Sequence, residues 1–128
     1  ALGFGAFYRK GQNTSTGLSL AVTPTSMTLR AEGTTDSTVS TTISSSAWTH
    51  LAFVRDGSTI RFFNAGVMVG TASRPTIDHT STDSLYTGTA SGDTRFAYKG
   101  MIDELRITKG VARYTADFTP PTDPFIYP

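Results

Sequence analysis

The chain has 128 residues, with 38% hydrophobic and 16% charged residues and a formal net charge of +1, the size of one domain able to bury about two thirds of its unfolded surface. So small a charge, with no run of Lys and Arg, argues against nucleic acid as a partner. No stretch of about eighteen apolar residues is present for a helical membrane span, and without Cys there is no disulfide, thiolate metal site or Cys nucleophile.

The composition favours strands. The sequence holds 13 Ser and 23 Thr, and β-branched Thr suits a half-buried pleated surface. Gly, Pro and hydroxyl clusters interrupt the chain every eight to twelve residues, the rhythm of an all-β sandwich or barrel. In chain order, strands are expected at Phe4–Arg9, Leu18–Val22, Met27–Ala31 and Thr38–Ile43.

A three-strand antiparallel meander is then expected at His50–Arg55, Thr59–Phe63 and Val67–Gly70, joined at Asp56-Gly57-Ser58 and Asn64-Ala65-Gly66. Leu51 and Phe53 share one face of its first strand and His50, Ala52 and Val54 the other. Both faces are largely apolar, which predicts a central strand. Residues 71–94 form a long polar stretch with room for a short strand at Ser84–Thr87. Two last strands are expected at Arg95–Lys99 and Gly100–Thr108, the second turning Asp103 to its more apolar side. Val111–Asp117 could make a single helical turn before the tail. Four prolines exclude helix after Phe118, so residues 1–117 read as the domain and 118–128 as an extended strap or linker.

No catalytic constellation emerges from the spacing. The two Glu, Glu32 and Glu104, form no same-face acid pair, since Asp103 and Glu104 are adjacent and alternate across a strand. His50 and His79 have no metal-type neighbours, and His50 reads as a packing residue. A GxSxG elbow, a Walker loop and a GxGxxG run before a helix are all missing from the sequence. Trp48, Tyr86, Tyr98 and Tyr114 are the aromatics able to stack on a sugar ring, but strand positions favour packing for Trp48 and Tyr98. The ligand-binding candidates are therefore Tyr86 with the loop residues Arg74, His79 and Asp83.

The run Trp48-Thr-His-Leu-Ala-Phe-Val-Arg-Asp-Gly, then Ile60-Arg-Phe-Phe-Asn, then Gly100-Met-Ile-Asp-Glu-Leu-Arg-Ile resembles the laminin-G-like branch of the concanavalin A-like lectin/glucanase superfamily. The continuation from Thr108 to Thr122 looks like versions of that domain in phage and environmental-virus structural proteins. The resemblance implies an antiparallel jelly-roll sandwich of two curved sheets. It also implies a non-enzymatic binding or architectural module of an extracellular or virion-surface assembly, with a glucanase-type enzyme as the alternative. Where the family hairpin usually closes with Asn-Gly, Ala65 intervenes here, so a three-residue turn with left-handed Gly66 is expected. No cofactor is required, although related sandwiches can hold Ca²⁺ through an Asp at the position of Asp103. The family ordinarily begins with an earlier strand or two. With Phe4–Arg9 leading, its sheet edge is expected to be open and to pair with other subunits, as in a homo-oligomer or filament.

Overall fold

In the computed structural model, residues 5–10, 18–31, 36–74, 82, 84–88 and 97–126 are described. Their regular elements are eight strands: β1 (Gly5–Lys10), β2 (Leu18–Thr23), β3 (Ser26–Ala31), β4 (Ser37–Ser40), β5 (Leu51–Asp56), β6 (Thr59–Asn64), β7 (Val67–Ser73) and β8 (Leu85–Thr87). All pairings are antiparallel, in a five-stranded sheet of order β4-β3-β2-β1-β8 and a three-stranded sheet β5-β6-β7.

The sheets stack because each presents an apolar face at period two. Val22, Met27 and Leu29 of the larger sheet meet Ile60 and Phe62 of the smaller in one core cluster, with Leu51, Phe53, Val69 and Ala72 packed against it. The fold is thus an all-β antiparallel sandwich. At Gly70 the layers come close: a Cβ there would stand 2.5 Å from Cγ1 of Val39, which explains a glycine inside a strand.

The meander forms where expected, and its two turns differ. Gly57 has a φ of 58°, and as the first of two residues between Asp56 and Thr59 it suits a II′ hairpin turn. Asn64 pairs with Val67, so the second turn has two residues, and both Ala65 (φ 51°) and Gly66 (φ 83°) are left-handed. The expected three-residue turn is corrected: the chain keeps the two-residue geometry of an Asn-Gly hairpin and places Ala in a conformation its Cβ disfavours.

Six further expectations are corrected. β5 borders its sheet, and its second apolar face is explained by the C-terminal segment. Tyr114 and Phe118 stack with centroids 3.5 Å apart, and Phe118 meets the rings of His50 and Phe63 edge-on, each at 5.4 Å. β1 pairs with β8 over Tyr8–Lys10, so its outer edge is occupied there. Gly100–Thr108 pairs with no strand among the described residues, and Glu104, with a φ of 51°, breaks its extended run. Asp103, expected to face inward, is exposed, as are Met101 and Ile107. Residues 97–99 are not strand either, whereas Arg95 lies outside the described residues. Val111–Asp117 bends at 115–116 without a helical turn.

The tail is fastened to the domain. The amide of Phe118 donates to the Gly66 carbonyl at 2.9 Å, and Asp117 Oδ1 accepts from the Met68 amide at 2.8 Å. Further on, the Phe125 amide donates to Glu104 Oε2 at 2.8 Å, and the Arg106 guanidinium lies 3.9 Å from the Phe125 ring centre.

Candidate functional site

A cleft of about 340 Å³ opens where the β2–β3 turn, the irregular segment before β5 and residues 98–101 converge. Two backbone hydrogen bonds fix one wall beside that turn, Thr41 N–H to the Thr25 carbonyl at 3.0 Å and Ile43 N–H to the Pro24 carbonyl at 2.8 Å. Beyond Ile43 the Ser44-Ser45-Ser46 run leaves strand geometry, and the Ser46 amide donates to Ser44 Oγ at 3.3 Å, a local bond that competes with sheet pairing. β5 therefore starts only at Leu51, and Trp48 is left 65% exposed on the cleft wall.

This overturns the packing reading of Trp48. The hydroxyl run just before it is the sequence signal that marks a loop position. Tyr98 packs against the core, as expected, and it also lines the cleft with Lys99 and Met101. Aromatic faces, serine and threonine hydroxyls and one ammonium can together take a ligand with an apolar ring face and a hydroxylated edge.

The loop site expected from sequence is not brought together. His79 and Asp83 lie outside the described residues. Arg74 is 9% exposed and donates through Nε to Ser37 Oγ at 3.0 Å, which ties the end of β7 to β4 across the sandwich. Tyr86 is half-buried in β8. Because β4 and β8 are the opposite borders of the five-stranded sheet, Arg74 and Tyr86 stand roughly four strand spacings, or ~19 Å, apart.

His50 precedes β5 and packs edge-on against Phe118, with Tyr114 further off at 6.3 Å. Its Nδ1 is buried without a hydrogen-bond partner among the described residues. Burial and then the nearby Arg106 guanidinium hold its pKa below the ordinary imidazole value of 6.5. Asp103 Oδ1 accepts its neighbour's backbone N–H, from Glu104, at 2.8 Å. No group of three or more His, Asp or Glu able to hold a metal occurs among the described residues. Glu104, one of the two Glu, is engaged by the Phe125 amide.

The architecture defines a two-sheet β-sandwich domain with a solvent-open aromatic cleft at one end. The chain belongs to the concanavalin A-like lectin/glucanases superfamily, whose laminin-G-type family model matches residues 3–113. No curated protein matches. Among solved structures, a fragment of an S-layer domain-containing protein from Clostridium thermocellum is similar at 17% identity and a TM-score of 0.42. The match covers 93% of this chain and 60% of that one.

Proposed function

We propose that this domain is a non-enzymatic binding module of an extracellular assembly, contacting glycan through the cleft beneath Trp48. The observation that carries the reading is the 65% exposure of Trp48 beside Tyr98 and a serine run. An indole held in water costs apolar hydration, and stacking on a pyranose face removes that cost. The engagement of Glu104 by a backbone amide, with no acid partner for it in the sequence spacing, supports binding without hydrolysis. The setting in this reading is a cell surface or a virion surface, where modules of this family adhere or build, with other subunits of the same assembly as partners.

A glycan array run beside a hydrolysis assay on mixed polysaccharides tests this. The expected outcome is retention of at least one glycan class, lost on Trp48→Ala, with no release of reducing ends. Hydrolysis by the wild-type domain would overturn the reading in favour of the glucanase alternative. Retention that survives Trp48→Ala would move the site elsewhere.

A further inference from the structure

Among the described residues that line the cleft beneath Trp48, Lys99 is the single charged one. Its ammonium has no ion pair and no hydrogen bond among the described residues. Carboxylates elsewhere are committed: Asp36 to Arg30, Asp56 to Arg61, Asp117 to the Met68 amide and Glu104 to the Phe125 amide. The exposed Trp48 indole N–H likewise meets no acceptor among the described residues. An ammonium and an indole N–H can only donate, so the cleft presents donors and a positive charge with no anion to match them.

Lys99 is placed at the cleft by its neighbours on both sides. The Tyr98 amide donates to the Gly88 carbonyl at 2.8 Å, which ties this wall to the residue just past β8. The Tyr98 ring lies against Gly100, where an added Cβ would stand 2.7 Å from its Cε1 and 3.0 Å from its Cζ. So close an approach needs a residue without a Cβ. With the Tyr98 ring also packed to the core, residues 98–100 are held on the cleft wall and the exposed Lys99 side chain is presented there.

We propose that the ligand of this cleft is an acidic glycan, a pyranose whose ring face stacks on Trp48 and whose carboxylate is met by Lys99. This rests on the glycan reading above and names the chemical class of the sugar. A neutral sugar would complete the stack and leave the ammonium no better placed than in water. A carboxylate supplies a charge-assisted hydrogen bond, the stronger kind. The described lining carries no Asp or Glu to repel it, and the neighbouring hydroxyls suit the remaining edge of the ring.

Polygalacturonate, alginate, hyaluronate and polysialic acid, each immobilised beside its carboxyl-reduced form, test the proposal against the whole chain, with circular dichroism confirming that every variant is folded. Retention on at least one acidic polymer is expected, weaker by about three- to tenfold on the reduced form. Lys99→Gln should weaken retention of the acid form by a similar factor and leave the reduced form within about twofold. Lys99→Glu should weaken the acid form further, and added salt should act on the acid form alone. Trp48→Ala should abolish retention of both. Equal retention of acid and reduced forms, an acid form indifferent to Lys99→Gln, or a Lys99→Gln loss equal on both forms would each overturn the proposal. Retention of none of the four acids, while neutral glycans are held through Trp48, would overturn it and leave the cleft reading standing. A chain that holds no glycan at all would remove both.

Discussion

Ala65 and Gly66 close a two-residue turn with both residues left-handed, and they respond to substitution in opposite directions. An L-residue other than Asn or Asp at φ 51° is disfavoured, so Ala65→Asn should raise stability by about 0.5–1 kcal/mol, read from the midpoint of urea unfolding. A Cβ on Gly66 would overlap the Phe118 carbonyl oxygen and stand 2.8 Å from Pro120 Cδ. Gly66→Ala should therefore cost more than about 2 kcal/mol and loosen the tail. His50 gives a pH signature. Its folded pKa lies below 6.5, so the unfolded chain takes up a proton first as pH falls. Its contribution is complete above the unfolded value and is lost as pH drops through the folded one. Melting temperatures at pH 7.5 and 5 should differ less in His50→Gln than in wild type; an identical pH dependence would remove His50 from the account.

At the scale of elements, the meander was legible because its signals agree: β-branched and aromatic residues at period two, with Gly where positive φ is needed. Leu51 and Phe53 face the other sheet as alternation requires. The opposite face of β5 was legible as apolar, but sequence could not say what covers it. The cover is Tyr114 and Phe118, more than fifty residues away, which the prolines suggested only as a strap. Trp48 misled for a related reason, since its position two residues before a strong strand resembles strand, while the serine run sets where pairing begins. Gly100–Thr108 misled most, because alternation reports a capacity to pair and pairing needs a second backbone. If the strap completes the outer face of β5-β6-β7, Phe118→Ala should cost about 1.5–3 kcal/mol, the value of a largely buried aromatic. Thr119→Ala, exposed beside it, should cost less than about 0.5 kcal/mol. Equal effects from the two would mean that the tail contributes no packing.

For the molecule as a whole, the question is whether the two sheets are one cooperative unit. The core is shared: Met27 and Phe62 are fully buried and belong to different sheets, yet they lie in one cluster. Two polar ties join the layers at their margins, Arg74 to Ser37 and Asn64 Nδ2 to Thr41 Oγ1 at 2.9 Å. Opening the cluster would return the inner apolar faces of both sheets to water, at about 25 cal/mol for each Å² exposed, so neither sheet should persist once the cluster opens. Thermal unfolding should then be a single transition, superimposable by far-ultraviolet circular dichroism and by Trp48 fluorescence. Phe62→Ala should lower stability by about 3–5 kcal/mol, a large share of the roughly 5–15 kcal/mol typical of a domain, and should shift both probes together. Chelator and added Ca²⁺ should leave the midpoint unchanged, since Asp103 is exposed and already accepts a backbone N–H. A variant in which the fluorescence transition moves while the dichroism transition stays would show that the smaller sheet opens by itself, and would make the β5 end, where the aromatic cleft lies, the weakest part of the sandwich.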